Sequence, residues 1–282
     1  MSPFTHAAVR RLVRLALEED LGRGDVTTLG TVDSAATAVG RIVARQPFLV
    51  AGLPIVCVVL EEARVDDARF EIRCPEGTEA ESQDTVGELH ARATDLLSLE
   101  RVILNFVQRM SGVATLTRRF VEAIDGTRAR IVDTRKTLPG WRILDKYAVS
   151  VGGGANHRFG LDDGILIKDN HIVACGGIAS AVARVRRGAH HLLRVEVECE
   201  NIAQVDEALA AGCDAILLDN MSVSELATAV RHIAGRALIE ASGGVTLATV
   251  RGIADAGPDL ISVGALTHSS PSSDLAMDLA LA

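Results

Sequence analysis

The second half of this chain contains strand-like runs that, from the third run onward, alternate with helical segments at a repeat of about 22 residues, which is typical of consecutive βα units around a parallel sheet. The strand-like runs are apolar throughout, as expected for strands buried on both faces. They are Ala129–Asp133, Gly164–Lys168, Leu193–Cys199, Ala215–Asp219, Ala237–Ala241 and Leu260–Val263, and the later ones are separated by helical segments at Ile202–Ala211, Val223–Ile233 and Leu247–Ala256. About 140 residues are too few for a closed eight-unit barrel, which needs about 200 or more, so we expect an open α/β barrel of six or seven strands.

The first part of the chain predicts a different, mixed architecture. An apolar helical stripe covers residues 5–20, and two extended stretches at about 38–50 and 81–94 flank a helix near 54–64. A long helix follows at about 96–124. Strands and helices that do not alternate strictly indicate an α+β domain. The change of pattern places a division of the chain near residues 115–128.

The composition limits the classes of function. With 48% apolar and 23% charged residues among 282, the chain can bury a large core. The net charge of −8 argues against a nucleic-acid-binding surface, so an anionic substrate needs a local cluster of basic residues. Five cysteines without metal-ligand or redox spacing, no signal peptide and no apolar run of about 20 residues predict a cytoplasmic protein without a membrane partner.

Lysine is rare in this chain, and its positions are clustered. The three lysines, against 26 arginines, are Lys136, Lys146 and Lys168, and they lie within 33 residues of each other. Since arginine supplies positive charge elsewhere, the lysines are candidates for places that need a compact ammonium or a tunable pKa. Lys146 follows Arg142 at helical spacing, so a solvated helix face or an internal ion pair explains it better than a site does.

Polar residues stand at or just after the end of each strand-like run. In α/β barrels the carboxyl ends of the strands carry the active site, so we expect these residues to form one rim. Singly they have simpler explanations, such as a helix cap for Asp219 or a surface salt bridge for Lys168 with Asp169. Their joint occurrence favours a site. The set is Asp133, Arg135, Lys136, Lys168, Asn170, Glu196, Glu198, Asp219, Asn220, Glu240, Ser242, Gly243, Gly244 and Gly264.

The rim residues divide into two chemical groups. A cationic group suits a small polyanion, because arginine grips carboxylates and lysine adds a point charge. Glu198 and Asp219 suit Mg²⁺ or ribose hydroxyls, and the glycines near Ser242 and Gly264 suit phosphate oxygens. Together they describe a pocket for two anions, one of them a phosphorylated sugar with its metal. The cationic group is Arg135, Lys136, His157, Arg158 and Lys168.

Several sequence motifs are distributed over nearly the whole chain. They are Asp133-Thr-Arg-Lys-Thr-Leu-Pro-Gly140, Lys146-Tyr-Ala-Val-Ser-Val-Gly-Gly-Gly-Ala-Asn-His-Arg158, Leu166-Ile-Lys-Asp-Asn-His171, Asp20-Leu-Gly-Arg-Gly-Asp-Val-Thr-Thr28, Glu100-Arg-Val-Ile-Leu-Asn105, Glu196-Val-Glu198, Leu217-Leu-Asp-Asn220, Ser242-Gly-Gly244 and Val263-Gly-Ala-Leu-Thr-His268. Together these motifs closely resemble the quinolinate phosphoribosyltransferase family, and the central block is the most specific. Trp141 departs from the usual smaller apolar residue after Pro-Gly, which affects local packing more than chemistry.

The resemblance implies a fold and a reaction. It implies an N-terminal α/β sandwich domain at 1–115, an open seven-stranded α/β barrel at 116–268 and a C-terminal tail at 269–282 that packs back on the first domain. The expected reaction joins quinolinate and phosphoribosyl pyrophosphate, with Mg²⁺, to give nicotinate mononucleotide, pyrophosphate and CO₂ in NAD biosynthesis. The expected assembly is a homodimer or a higher oligomer in which the neighbouring subunit completes the active site.

The resemblance also assigns residues. Lys136, Lys168, Glu198 and Asp219 are the expected catalytic residues, and Glu198 and Asp219 are the expected metal ligands, directly or through other groups. Arg101 is expected to reach the partner's site, which residue chemistry alone does not predict. The other expected substrate-binding residues are Thr134, Arg135, His157, Arg158, Ser242, Gly243 and Gly264.

Two other reactions compete with this interpretation. A related transferase would use another acceptor, such as nicotinate, without decarboxylation. A barrel aldolase would use Lys136 or Lys168 as a Schiff base, and the surrounding arginines suit its anionic substrate equally well. A regulatory protein without activity is disfavoured because every expected rim residue is present.

Overall fold

The structure is a computed structural model that describes residues 2–281. The chain begins with a short 3₁₀ turn at Pro3–Thr5 and continues through a mixed region. The elements of that region are α1 (Ala7–Leu21), α2 (Val26–Thr31), β1 (Thr37–Ala44), β2 (Phe48–Leu49), α3 (Ile55–Glu62), β3 (Arg69–Ile72), β4 (Glu79–Ala80), β5 (Thr85–Arg92) and α4 (Ala93–Ala123).

The second half contains the expected alternation of strands and helices. After its last barrel strand and one short helix, the chain ends in a strand that the sequence pattern did not reveal. The elements are β6 (Arg130–Val132), α5 (Arg142–Val151), β7 (Ile165–Ile167), α6 (Asp169–Cys175), α7 (Ile178–Gly188), β8 (Val195–Cys199), α8 (Ile202–Ala210), β9 (Ala215–Asp219), α9 (Val223–Ile233), β10 (Leu238–Ser242), α10 (Val250–Asp255), β11 (Leu260–Ser262), α11 (Ala265–His268) and β12 (Leu275–Leu281).

These elements form two compact units. The first contains the described residues through Arg118, together with Thr137–Gly153 and the residues from Ser269 onward. The second contains Arg119–Lys136 and Gly154–His268. No helix in the described part of the chain is both long and apolar enough to cross a membrane.

The first unit is built on a four-stranded antiparallel sheet with the order β12-β1-β5-β3. A second, two-stranded sheet pairs β2 with β4. The helix α1 buries Val9, Val13 and Leu17, whose four-residue spacing places them on one face. In α4 the predicted apolar side, from Leu99 to Met110, is buried as well. The mixed α/β architecture predicted for this region is confirmed.

The long helix α4 also explains the unusual Trp141. The indole stacks on Phe106 of α4, with ring centroids 4.9 Å apart and an interplanar angle of 26°. The residue therefore fills space in the core of the first unit, and it does not line the pocket described below.

The second unit is a parallel sheet with the order β6-β11-β10-β9-β8-β7. The first strand of the unit lies beside the last, which is the strand order of an α/β barrel, and β6 and β7 do not pair, so the barrel is open as predicted. Six strands are formed. At the seventh position Ala155 makes a single parallel bridge to Val132, where its N–H donates to the carbonyl of Ile131 at 2.8 Å.

Candidate active site

The rim of the barrel follows from the two-residue period of its strands. Side chains two residues apart on a strand point to the same face, so each rim residue has a partner one step deeper. We call the rim residues Lys168, Glu198, Asp219, Ser242 and Gly264. The inner residues, two positions before them, are Leu166, Glu196, Leu217, Glu240 and Ser262.

A cavity of about 540 Å³ opens at this rim, entirely within the second unit. Its volume lies in the range of small-molecule sites, roughly 300–1,000 Å³. The cavity contains both the cationic and the acidic groups that the sequence predicted. It is lined by Thr134, Arg135, Lys136, His157, Arg158, Leu166, Lys168, Glu198, Leu217, Asp219, Asn220, Glu240, Ser242, Gly243, Gly244 and Ser262.

All but two of the predicted site residues line this cavity. Gly264 borders it, because a Cβ added there would lie 3.0 Å from Cδ of Lys136. Arg101 belongs to the first unit, on α4, and its side chain is 58% exposed. Its nearest acidic group is Glu100, at 3.9 Å, so Arg101 points into solvent.

Hydrogen bonds hold the backbone of Lys136, and its side chain lines the cavity. The buried hydroxyl of Thr267 donates to the carbonyl of Lys136 at 2.8 Å, and the Lys136 N–H donates to Oγ1 of Thr134 at 3.0 Å. Gly264 provides the space beside the aliphatic stem of the lysine. The segment after β6 is thereby held in one conformation while its ammonium faces the ligand space.

Lys168 and Glu198 form an ion pair across neighbouring strands β7 and β8. The partner of Lys168 is therefore Glu198 and not the adjacent Asp169, which corrects the surface salt bridge weighed above. Asp219 does not cap a helix either, since Ser222 is the N-cap of α9. The carboxylate of Asp219 instead accepts a hydrogen bond of 2.6 Å from the side chain of Asn220 at the cavity wall.

The two arginines of the cationic group lie close enough to influence each other. Burial lowers the pKa of the Arg158 guanidinium, and the charge of Arg135 lowers it further. Arg158 also donates to the carbonyl of Gly164 at 3.0 Å, which fixes its orientation. Two neighbouring guanidinium groups repel each other in the free protein, so an anion bound between them relieves that repulsion.

His157 is surrounded by carboxylates. Its Nε2 lies 3.1 Å from Oε2 of Glu196 and 3.4 Å from Oε2 of Glu240. Burial alone would lower the pKa of His157, but the hydrogen bonds and negative charge of the two carboxylates outweigh it and raise the pKa to about 10. Burial, reinforced by the neighbouring Glu240, raises the pKa of Glu196. The cluster therefore holds protons more tightly than a free imidazole does.

The second ring nitrogen of His157 faces a donor. The backbone N–H of Arg158 points at Nδ1 at 2.8 Å, which favours the neutral ring with its proton on Nε2, whereas the carboxylates favour the charged ring. Both forms carry a proton on Nε2. The hydrogen bond from Nε2 to Glu196 is thus the feature common to both protonation states.

The end of β10 approaches the end of β9 too closely for a side chain. Gly243 has φ +99°, and a Cβ there would lie 2.8 Å from the backbone nitrogen of Asn220 and would overlap its side chain. Gly244 also has a positive φ, +58°, but it faces open space. The Ser242-Gly-Gly244 segment thus brings bare backbone to the cavity, as a phosphate cradle requires.

The donor atoms around the cavity fit a hard divalent cation. Glu198 and Asp219 offer carboxylate oxygens, the ligand type that Mg²⁺ prefers, at the same rim. Among the described residues, one further group brings metal-ligating atoms together, since those of His157, Glu196 and Glu240 lie within 4.8 Å of one another. In that group Nε2 of His157 already donates to Glu196, whereas Oε2 of Glu240 has no hydrogen-bond partner among the described residues.

The inner acidic residues are the part of the site that sequence reasoning left without a role. Glu196 and Glu240 were recognised as polar strand ends, but no function was assigned to them. The signal that identifies them is the strand period, because both stand two residues before a rim residue and therefore face the same side of the sheet. Glu240 lines the cavity, and Glu196 contacts its wall residue His157. Lys146 lies elsewhere, since it belongs to the first unit and is only 3% exposed, so the solvated helix face was wrong.

Comparison with known proteins gives one consistent result. The model of the quinolinate phosphoribosyl transferase C-terminal domain matches residues 113–278, and the model of the N-terminal domain of the same family matches residues 25–111. The nicotinate-nucleotide pyrophosphorylase (carboxylating) of Mycobacterium leprae is 44% identical over 277 residues, covering 96% of this chain and 97% of that protein.

Solved structures agree with the sequence matches. The nicotinate-nucleotide pyrophosphorylase of Ehrlichia chaffeensis superposes with a TM-score of 0.91 at 42% identity, covering 96% of this chain and 98% of that one. NadC of Streptococcus pyogenes superposes with a TM-score of 0.93 at 39% identity, covering 100% and 99%. The similarity therefore extends over both units.

Proposed function

Because the chain belongs to the quinolinate phosphoribosyltransferase family, we propose that its cavity transfers a phosphoribosyl group from phosphoribosyl pyrophosphate to quinolinate, with loss of CO₂. The products are nicotinate mononucleotide and pyrophosphate, and the reaction supplies NAD biosynthesis. The observation that carries this proposal is the division of one cavity into a cationic side and an acidic, glycine-lined side.

The cationic side suits the acceptor. Quinolinate carries two adjacent carboxylates. Five side chains that are cationic or can donate hydrogen bonds surround one part of the cavity. Arginine binds a carboxylate through two parallel hydrogen bonds, and lysine contributes a mobile point charge. We assign acceptor binding to Arg135, Lys136, His157, Arg158 and Lys168, with Thr134 beside them.

The opposite side suits the donor. Glu198 and Asp219 face the ribose hydroxyls, and the backbone of Ser242, Gly243 and Gly264 receives phosphate oxygens. Glu198 and Asp219 would also hold Mg²⁺, directly or through other groups. When bound, this ion neutralises charge on the leaving pyrophosphate.

The transfer step places positive charge on the sugar. The ring nitrogen of quinolinate attacks the anomeric carbon, and the bond to pyrophosphate breaks with its electron pair on the leaving oxygen. Glu198 and Asp219 lie at the cavity rim where negative charge stabilises the developing cationic ribose. Because these carboxylates are fixed before the reaction, little reorganisation is needed in the transition state.

Decarboxylation follows from the charge on the product ring. Once the nitrogen carries the ribosyl group, the cationic ring accepts the electron pair of the breaking carbon–carbon bond at C2, CO₂ leaves, and C2 takes up a proton. Lys136 and Lys168 orient the carboxylates for this step. Burial of the 2-carboxylate favours its release as neutral CO₂.

The proposed assembly is a homodimer or a larger oligomer with shared active sites. Arg101 supports it, because this residue points into solvent although it belongs to the motif Glu100-Arg-Val-Ile-Leu-Asn105, which is one of those that resemble the family. An arginine without a function in its own subunit is available to a partner's cavity. We place the enzyme in the cytoplasm, in keeping with five cysteines that form no disulfide in the described structure.

The test is an assay of purified protein with phosphoribosyl pyrophosphate, Mg²⁺ and either quinolinate or nicotinate. The proposal predicts nicotinate mononucleotide from quinolinate and none from nicotinate, since binding is built for two carboxylates. Product from nicotinate alone would mean that nicotinate, and not quinolinate, is the acceptor. Absence of product from both acids would overturn the proposal.

A further inference from the structure

Two buried carboxylates, Glu240 in the cavity wall and Glu196 against the wall residue His157, have no part in the reaction described above. Glu240 is 1% exposed, and Glu196 is 9% exposed. Burying an ionised carboxylate is costly unless it is paired, and a site that binds a dianion has no use for extra negative charge. Their presence beneath a carboxylate-binding group therefore calls for a compensating role.

Both carboxylates face the same imidazole. Nε2 of His157 donates to Glu196 on β8, and Oε2 of Glu240 on β10 lies 3.4 Å from the same nitrogen. This oxygen of Glu240 is buried and has no hydrogen-bond partner among the described residues. Its contribution is thus the electrostatic attraction of a buried charge for the Nε2–H group and for no other partner.

The backbone of His157 is fixed by a third buried acid. Oδ1 of Asp133, at the end of β6, accepts the His157 N–H at 2.9 Å, and Asp133 is 0% exposed. Three strands of the barrel therefore each contribute one acid to a single residue of the loop after the Ala155 bridge. The next residue along this loop is Arg158, whose N–H points at Nδ1 of the ring.

We propose that Glu240 is a positioning residue for the acceptor side of the cavity and acts through His157. The inference rests on the proposed function. Glu240 attracts the Nε2–H of His157 toward the barrel interior, and the ring in turn positions the backbone of Arg158, whose N–H donates to Nδ1. Without Glu240 the Nε2–H group keeps its hydrogen bond to Glu196 but loses the attraction of the second carboxylate, so His157 and Arg158 are held less firmly.

The sheet order supports this role. Glu196 and Glu240 stand on β8 and β10, which flank β9, so the ring bridges two strands that are not hydrogen-bonded neighbours. The donor-side residue Asp219 stands on β9. Its carboxylate accepts a hydrogen bond from Asn220, which is not part of the His157 cluster. A change at Glu240 should therefore affect quinolinate and leave phosphoribosyl pyrophosphate nearly unaffected.

Glu240→Gln provides the first test, because glutamine keeps the size of the side chain and removes its charge. We expect the KM for quinolinate to rise about 10-fold to 100-fold, the loss typical of a misplaced binding group. The KM for phosphoribosyl pyrophosphate should change by less than about 3-fold. Glu122→Gln, an exposed change on α4, is the matched control and should leave both constants at their wild-type values.

Two further variants separate positioning from general damage. Glu240→Asp keeps the charge and should recover part of the quinolinate affinity, which calorimetric titration measures without turnover. In His157→Gln, adding Glu240→Gln should have little further effect, because the residue through which Glu240 acts is gone. Equal rises in both KM values, unchanged kinetics of Glu240→Gln, or additive losses in the double variant would each overturn the inference.

The outcome for the wild-type protein keeps the two proposals apart. If the wild-type protein converts quinolinate and the kinetic constants of Glu240→Gln are unchanged, the positioning role is rejected and the proposed reaction stands. Absence of wild-type turnover with quinolinate rejects the reaction itself, and the inference about its acceptor side with it.

Discussion

At the scale of single residues, the environment of His157 makes stability depend on pH. Two carboxylates raise the pKa of this imidazole from 6.5 to about 10 in the folded protein, in spite of its burial. The attraction of the two carboxylates for the charged ring outweighs the opposing Arg158 N–H at Nδ1, so folding favours the protonated ring. The stabilisation is complete below about pH 6.5 and is lost as the pH rises toward 10.

This gives the first prediction. The free energy of unfolding of the wild-type protein should exceed that of His157→Gln by the largest amount near pH 6, and the difference should shrink steadily toward pH 10. Urea unfolding at several pH values measures it. A difference that stays constant across this range would contradict the raised pKa.

The sequence predicted the residues of the rim better than those beneath it. Lys136 and Lys168 stood out because lysine is rare, and both line the cavity. Glu240 was predicted at a strand end but without a role, since its role depends on the distance to His157, which is 83 positions away in the chain. Spacing within one strand is local information, whereas contacts between strands depend on the register and tilt of the sheet.

At the scale of elements, the close approach of β9 and β10 makes one glycine essential. Gly243→Ala should destabilise the protein by about 3 kcal/mol and abolish activity, because the new methyl group meets the backbone of Asn220 and the positive φ disfavours alanine. Gly244→Ala is the matched control, with a cost of about 1 kcal/mol, since only the backbone strain remains. Thermal unfolding of both variants measures their stability. Equal losses of stability in the two variants would show that β9 and β10 do not approach each other as closely as described.

The long helix α4 makes a similar contact with the segment before β12. A Cβ at Gly112 would overlap the carbonyl oxygen of Pro271 and lie 3.1 Å from Cα of Ser272. Gly112→Ala should therefore cost about 3 kcal/mol of stability. Gly30→Ala, in exposed space on α2, should instead be neutral or stabilise by about 0.5–1 kcal/mol. Chemical unfolding measures both, and a neutral Gly112→Ala would place the C-terminal segment elsewhere.

Elements with a strong local period were predictable, and those defined by pairing were not. The barrel strands are continuous apolar runs, and α4 has a long apolar face, so both were visible in the sequence. The terminal strand β12 is recognisable only by its register with β1, from Ala44 opposite Leu275 to Ala38 opposite Leu281. The last strand of the barrel layout is likewise reduced to one bridge at Ala155, which no sequence pattern distinguishes from a loop.

At the scale of the whole molecule, the proposed shared site predicts complementation between inactive subunits. Arg101→Ala damages the residue given to the partner, and Lys136→Ala damages the residue kept in the same subunit. Mixed dimers contain one site with neither change, so an equal mixture should regain about a quarter of wild-type activity after subunit exchange. Activity that stays at the level of the separate variants would place Arg101 outside the active site.

The central claim is that the cavity of the second unit carries out both the transfer and the decarboxylation. Release of ¹⁴CO₂ from quinolinate labelled in the 2-carboxylate tests it most directly, with the wild-type protein and Lys136→Ala measured in parallel. We predict release that requires phosphoribosyl pyrophosphate and equals the nicotinate mononucleotide formed, and a loss of about 100-fold or more in the variant, which should fold normally. Release without phosphoribosyl pyrophosphate, or a variant as active as the wild type, would contradict this account.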